Sequence, residues 1–373
     1  MSNKDLFYFA ARCLMLDDHP EFRQEIIGKI SADTINWPIF VSLCSTHLIL
    51  PVIYLKFEKH KILGLLDKEL ADFLKEIYNL NVSRNNRILE QIKEVTALLN
   101  KSDIHPIFLK GAGNLLDGLY SDIGERILGD IDFLVLENEY LPAAKILEEN
   151  GYSIPEDTPK YFIFEYLVHY PRLSNPGFPA DLEVHRLLNK VRLRWFNAGT
   201  IQNGIKPVKT PKGCFVLSDH DKVILNFVHS QLNNRGHSFG IISLRDLYDL
   251  YLLSKRKPLA EVIPHIKCKG KAIAYFAFAR EATGLDEKFF CGTNLSGRLL
   301  TLKHDLSYSS PLFYHTHRTI RFILHKIFEV YLVYIVQTIY SREMRRTVFL
   351  KVTDPQWYRL FPKNYSDFFT PKS

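Results

Sequence analysis

The spacing of apolar residues divides the chain into three regions. From residue 5 to residue 101 apolar positions recur every three or four residues, as at Phe73, Ile77 and Leu80, which predicts helices. The same period returns after about Pro211 and continues almost to the last residue. We therefore predict an N-terminal helical region (residues 1–100), an α/β core (101–215) and a C-terminal helical lobe (216–373).

The middle region has the pattern of a small sheet with helices. Residues 107–109 form a short apolar run, residues 110–120 combine glycines with helix formers, and residues 130–136 alternate acidic and apolar positions as a half-buried strand does. Residues 140–150 predict a helix closed by Gly151, and residues 161–169 and 180–185 predict two more strands. The fold class is therefore α+β, with a mixed sheet flanked by helical regions.

Composition excludes several classes of protein. The chain has 373 residues, of which 46% are hydrophobic and 24% charged, so a folded protein with a substantial core is expected. Its five cysteines are never spaced as CxxC, which argues against a disulfide framework or a thiolate zinc site and favours the cytoplasm. Asp5 and Arg12 interrupt the apolar run that a signal peptide needs. The most apolar segment, residues 330–341, has only 12 residues, whereas a spanning helix needs about 20, so no transmembrane segment is predicted.

The net charge of +7 is unevenly distributed. Residues 184–218 contain seven basic side chains and no acid: Arg186, Lys190, Arg192, Arg194, Lys206, Lys209 and Lys212. Such a stretch either binds a polyanion such as RNA or is only a solvated basic face, and both interpretations stay open.

Paired acids supply the candidate chemistry. On a strand, Asp130 and Asp132 point to the same face with Cα atoms about 6.5 Å apart, close enough to hold divalent cations together. Asp181, Glu183 and His185 repeat this spacing on a second predicted strand and would add a third carboxylate if the strands are neighbours. Oxygen ligands of this kind favour Mg²⁺ or Mn²⁺ over Zn²⁺. Two such ions are a known solution for displacement at phosphorus.

A glycine-containing turn offers a site for phosphates. Lys110, Gly111 and Gly113 directly precede a predicted helix, whose free N–H groups and dipole favour an anion. The sequence lacks both the complete dinucleotide fingerprint and a Walker A loop. Lys110 either binds a phosphate or only ends a strand.

Arg126 has two interpretations of the same kind. It either neutralises a triphosphate or pairs with Asp122 or Glu125 in its own loop.

The order of these motifs resembles a known superfamily. A glycine turn, a helix, G-D-I-D on a strand and a distant E-V-H is similar to the nucleotidyltransferases of the polymerase β type, and most of all to the uncharacterised family 5 nucleotidyltransferases of bacteria. The resembling segments cover roughly residues 40–255: THLILPVIYLKF (46–57), SRNNRILEQIKEVTALLNKSDIHPIFLKG (83–111), LYSDIGERILGDIDFLV (119–135), AAKILEENGY (143–152), EYLVHYPRL (165–173), LEVHRLL (182–188) and NFVHSQLNNRGHSFGIISLRDLYDL (226–250).

The resemblance assigns roles to the acids. It implies that Asp130 and Asp132 are the metal-binding pair and that Gly111 is the glycine of the nucleotide loop. Glu183 matches the later acid of the family pattern, whereas Asp181 is an extra acid two residues earlier that could also complete the site. The resemblance thus implies a nucleotidyltransferase core within the α+β fold.

The function expected from the resemblance is transfer of a nucleoside monophosphate from an NTP such as ATP to an acceptor hydroxyl, with Mg²⁺ or Mn²⁺. The acceptor is a small molecule, a protein or an RNA. His185 and His229 are candidates for supporting the site or contacting the acceptor, although core or capping roles are the simpler interpretation of His229. The alternative function is a catalytically silent protein that binds a nucleotide or a protein partner through the same fold.

Overall fold

The computed structural model describes residues 1–155, 168–189, 193, 195–201, 204–353 and 355. The N-terminal region consists of helices α1 (Asn3–Leu14), α2 (Pro20–Ser31), α3 (Trp37–Thr46), α4 (Leu50–Lys59) and α5 (Lys68–Asn100), with a short 3₁₀ turn at Leu63–Leu65. The all-helical prediction for the first hundred residues is confirmed.

The sheet follows directly after α5. Its elements are β1 (Ile107–Phe108), α6 (Lys110–Leu116), β2 (Ile131–Leu134), α7 (Tyr140–Glu149), β3 (Leu182–His185), α8 (Ala198–Ile201), β4 (Lys206–Pro207) and β5 (Phe215–Val216). The five strands are ordered β3-β2-β1-β5-β4. Strand β2 runs parallel to β3 and antiparallel to β1, and β1 runs parallel to β5, so the sheet is mixed as predicted.

The rest of the described chain is helical. It contains α9 (Asp219–Phe227), a π-helix (Val228–Asn233), α10 (Gly236–Phe239), α11 (Leu244–Arg256), α12 (Leu259–Val262), a 3₁₀ turn (Ile263–His265), α13 (Lys269–Thr283), α14 (Leu295–Ser309), α15 (Pro311–Leu324), a second π-helix (His325–Leu332), α16 (Val333–Tyr340) and α17 (Arg342–Thr353). Among the described helices, none is both long and apolar enough to cross a bilayer.

Two hydrophobic cores organise these elements. One joins the first four helices to the C-terminal helices through residues such as Phe7, Phe57 and Phe276. The other lies between the sheet, α7 and the second half of α5, whose buried Ile88 and Ile92 recur at helical spacing. The predicted boundaries after residues 100 and 215 stay predictions, because the first core unites the two outer regions.

Several local predictions need correction or extension. Helix α6 begins at Lys110, so Gly111 and Gly113 lie inside the helix and not in a turn before it. The sharp change of direction falls on Lys110, whose φ is +48°. Strands β4 and β5 were not predicted, because two residues each are too short to show alternation. Residues 161–167 of a predicted strand lie outside the described residues, and His169 forms a bridge with His185.

Gly113 permits the close packing of α6 on β1. A Cβ atom at this position would lie 2.4 Å from the carbonyl oxygen of Phe108, which is backbone and cannot rotate away. We expect Gly113→Ala to destabilise the protein by about 1–3 kcal/mol through overpacking. Gly28→Ala is the matched control, since a Cβ there has no heavy atom within 4 Å and α2 should gain about 0.5–1 kcal/mol. Urea unfolding measures both changes, and equal effects of the two variants would contradict this role of Gly113.

His47 connects the N-terminal helices to the C-terminal lobe in its neutral form. Its Nδ1 accepts a hydrogen bond from the Leu244 N–H at 3.3 Å, and its Nε2 lies 2.9 Å from the Tyr308 hydroxyl. Burial, followed by the positive charges of His304 and Arg245, lowers the pKa of His47 from 6.5 to about 4. Between these two values the unfolded chain binds more protons than the folded chain, so stability is lost as the pH falls.

We expect this linkage to remove about 1–2 kcal/mol of stability between pH 7 and pH 5 in addition to other titrations. His47→Gln retains a donor and an acceptor but does not titrate, so its stability should fall less over the same interval. Urea unfolding of both proteins at the two pH values measures the difference, and parallel losses would refute it.

Candidate functional site

The pairing of β2 with β3 brings the predicted acids together. In this parallel register Asp132 lies opposite Glu183, and Asp130 immediately precedes β2. All three carboxylates line one cavity of about 380 Å³, which α9, the first π-helix and α11 close from the other side. The structure thus places residues 130, 132 and 183 in a common site.

Three cationic side chains neutralise these carboxylates. Lys110 Nζ lies 2.5 Å and His185 Nε2 lies 2.8 Å from Asp132 Oδ1. Arg172 bridges the other two acids, with Nε 3.1 Å from Glu183 Oε1 and a terminal nitrogen 3.4 Å from Asp130 Oδ2. Asp132 and Glu183 are only 3% and 7% exposed, so such compensation is required.

The pKa values reflect this balance. Burial, with the neighbouring charges of Asp132 and Glu183, raises the pKa of Asp130. Burial also tends to raise the pKa values of Asp132 and Glu183, but their positively charged neighbours outweigh it. The charge of Lys110 holds the pKa of Asp132 well below its usual range, and the His185 hydrogen bond lowers that of Glu183 to about 2. Hydrogen bonds to both acids raise the pKa of His185 in spite of its burial.

The donor atoms fit a hard divalent cation. One ligand atom each from Asp132, Glu183 and His185 lie within 4.8 Å of one another, and Asp130 lines the same cavity. Carboxylate oxygens suit Mg²⁺ and Mn²⁺, and imidazole is a further ligand that Mn²⁺ accepts.

Asp181 lies outside this cluster. Its carboxylate accepts a hydrogen bond from Ser174 Oγ at 2.6 Å, its backbone carbonyl accepts one from the Ile131 N–H, and it is not among the residues that line the cavity. The register therefore favours Glu183 over Asp181 as the partner of Asp132.

The predicted phosphate-binding residues take different positions. Lys110, Gly111 and Arg126 line the cavity. Gly111 also lets the loop that enters β2 approach α6, because a Cβ there would lie 2.7 Å from Leu128 Cδ2. Gly113 faces β1 and is not part of the cavity wall.

Arg126 pairs with neither Asp122 nor Glu125. Its guanidinium is buried against Asp249 on α11, with nitrogen–oxygen distances of 3.1 Å, and Tyr120 donates a hydrogen bond to the same carboxylate at 2.8 Å. This network fixes one wall of the cavity to the helical lobe. No short sequence spacing connects residues 126 and 249, so the sequence pattern did not reveal the pair.

The helical side of the cavity is polar. Ser218 and Ser243 cap α9 and α11 by accepting hydrogen bonds from backbone N–H groups, which sets where these helices begin. The wide turn of the π-helix carries His229 and Asn233 to the cavity wall, as π-helices at functional sites often do. His229 Nε2 lies 3.2 Å from the side-chain nitrogen of Asn234.

Helix α5 holds the loops that carry the acids. Its buried Asn81 and Asn85 donate to carbonyl groups between residues 123 and 126, and Gln91 donates to the Ala180 carbonyl at 2.8 Å. Arg84 donates to the carbonyls of Leu128, Gly129 and Pro179. These polar residues were overlooked in the sequence, where a buried asparagine on a helix resembles a solvated one.

Comparison with known proteins identifies the family of the chain. Residues 33–267 match the family described as uncharacterised nucleotidyltransferase. The match spans more than half of the chain, so the protein belongs to this family. It includes every cavity residue named above. No curated protein and no solved structure matches the chain.

The Arg126–Asp249 pair should be important for stability. Because both side chains are buried, Asp249→Asn leaves an arginine without its counter-charge, and we expect a loss of about 3 kcal/mol. Asp72→Asn breaks the exposed Lys68–Asp72 pair of α5 and is the control, which should leave the unfolding midpoint unchanged. Thermal unfolding compares the two, and an unchanged midpoint for Asp249→Asn would contradict the role of the pair.

Proposed function

We propose that the protein transfers a nucleoside monophosphate from an NTP to an acceptor hydroxyl and releases pyrophosphate. The observation that carries this proposal is the register of β2 and β3, which sets Asp132 beside Glu183 with Asp130 in the same cavity. Membership of the nucleotidyltransferase family supports it. In the reaction the acceptor oxygen forms a bond to the α-phosphorus, the bond from that phosphorus to the bridging oxygen of pyrophosphate breaks, and the hydroxyl proton passes to a carboxylate or to water.

Asp130, Asp132 and Glu183 would hold Mg²⁺ or Mn²⁺. When bound, these ions would neutralise the triphosphate and lower the pKa of the acceptor hydroxyl. The protein's own contribution is mostly positioning and fixed charge, as expected for transfer at phosphorus.

Two cations would turn from the acids to the substrate. Arg172 has 54% of its side chain exposed and Lys110 has 25% exposed, and each would leave its carboxylate when a divalent cation replaces it. The Lys110 ammonium would then bind a phosphate oxygen of the triphosphate. Arg126 is held by Asp249, so its role is to shape the cavity and contribute positive potential from a fixed position.

The test uses each α-labelled NTP with Mg²⁺ or Mn²⁺, in the presence and absence of cell extract, and follows label in any product. We expect product with the wild-type chain and a loss of about 10²–10³-fold or more for Asp132→Asn and Glu183→Gln. Asp181→Asn is the matched control, because it removes a carboxylate immediately before β3 and outside the cavity, and it should change the rate by less than about threefold. Circular dichroism verifies that each variant is folded.

The outcomes separate two classes of function. Retained activity of Asp132→Asn would refute the assignment of the site. NTP binding by the wild-type chain without product under any condition would instead favour the silent, nucleotide-binding alternative.

A further inference from the structure

Five basic side chains from four helices meet beside the first π-helix. The cationic cluster consists of His237 on α10, Lys271 on α13, Lys303 on α14, and His317 and Arg321 on α15. Lys303 Nζ donates to the His237 carbonyl at 2.8 Å, and the Arg321 guanidinium donates to Ser238 Oγ. The ammonium group of Lys303 and the guanidinium group of Arg321 therefore both contact residues 237–238 of α10.

The charges of this cluster are not compensated. In the part of the chain that the structure describes, no carboxylate forms an ion pair with Lys271, Lys303 or Arg321. The closest acid along α14, Asp305, accepts a hydrogen bond from Tyr8 instead.

Burial and the mutual repulsion of these side chains disfavour their charged forms. Burial and the charges of Lys303, Lys271 and Arg321 lower the pKa of His237 to about 4. Burial and the neighbouring cations likewise lower the pKa values of Lys303 and His317.

Hydrogen-bonding capacity is also left unused. His237 Nδ1, His317 Nδ1 and Arg321 Nε are buried and have no hydrogen-bond partner within the described ranges of the chain. Buried polar atoms normally have partners, so this cluster has unused hydrogen-bonding capacity as well as an excess of positive charge.

The cluster is close to the candidate site. Asn233 and Asn234 line the cavity, and His237 follows Asn234 by three residues, which limits their separation to about 11 Å. A group bound at the cluster can therefore belong to a molecule that also enters the cavity.

The basic stretch identified in the sequence is a weaker candidate. Arg186 pairs with Glu137 at 2.7 Å, and Lys206 pairs with Asp219 at 3.0 Å, so these two charges are already neutralised.

We propose that the cationic cluster binds a phosphate group of the acceptor, so that the acceptor is itself a phosphate-bearing molecule. The identification of the bound molecule as the acceptor rests on the proposed function, whereas the presence of a phosphate site does not. Several converging donors with more than one positive charge suit a dianionic oxyanion. The phosphate can belong to a nucleic acid strand or to a small phosphorylated metabolite, and the experiment distinguishes these sources.

The experiment measures binding by the full chain. Fluorescence anisotropy follows a labelled ten-nucleotide single-stranded RNA, and inorganic phosphate and glycerol phosphate are tested as competitors and, by calorimetry, as direct ligands. The test variant combines Lys303→Gln with Arg321→Gln, which removes two charges but keeps hydrogen-bond donors. The control combines Lys75→Gln with Lys93→Gln, which removes two exposed charges from α5.

We expect at least tenfold weaker binding of the phosphate-bearing probe by the cluster variant and less than twofold change in the control. If the RNA binds and inorganic phosphate displaces it poorly, the phosphate group belongs to a nucleic acid strand. If phosphate or glycerol phosphate binds directly, the phosphate group belongs to a small molecule. No binding of any probe by the wild-type chain, or equal binding by the cluster variant, overturns the proposal.

A second measurement keeps this result separate from the proposed function. Binding of Mg²⁺ with NTP should be unchanged in the cluster variant and reduced in Asp132→Asn, whereas the phosphate-bearing probe should show the reverse. If the cluster variant loses binding of both the NTP and the phosphate-bearing probe, the cluster only stabilises the fold, which also overturns the proposal.

Discussion

The repulsion between three carboxylates in one small cavity is the constraint on which the site depends. The parallel register of β2 and β3 places Asp132 beside Glu183, and Asp130 lies immediately before β2. Lys110, His185 and Arg172 compensate these negative charges through direct contacts with the carboxylates. The same carboxylates would attract a divalent cation, whose charge would take the place of the contacts with Lys110 and Arg172.

The position of the acids is determined by backbone contacts far along the chain. Helix α5 contacts the loops before β2 and β3 with amide and guanidinium groups that donate hydrogen bonds to carbonyl oxygens, so both loops are attached to one helix. Arg126 and Asp249 attach the first of these loops to the helical lobe as well. The sheet supplies the register, and these polar contacts supply the rigidity.

Much of the candidate site was predictable from the sequence, because the spacing of its acids follows the two-residue period of a strand. Alternation along a strand places residues 130 and 132 on one face, and the pattern E-V-H marks the second strand. The pairing of Arg126 with Asp249 and the convergence of Lys303 and Arg321 on α10 depend on tertiary contacts between distant segments, which spacing does not encode. The start of α6 was misjudged because glycines usually indicate turns, whereas here Gly113 serves close helix–strand packing.

The two cores have a consequence for how the chain reaches its native state. The sheet core draws on residues 88–216, a continuous stretch that can assemble as soon as it has been synthesised. The first core instead packs Phe7 and Phe57 against residues as late as Leu300. Because α1–α4 precede Leu300 in the chain, the part of their apolar surface that packs on the later helices stays unburied until those helices have been synthesised, and transiently exposed apolar surface of this kind favours aggregation.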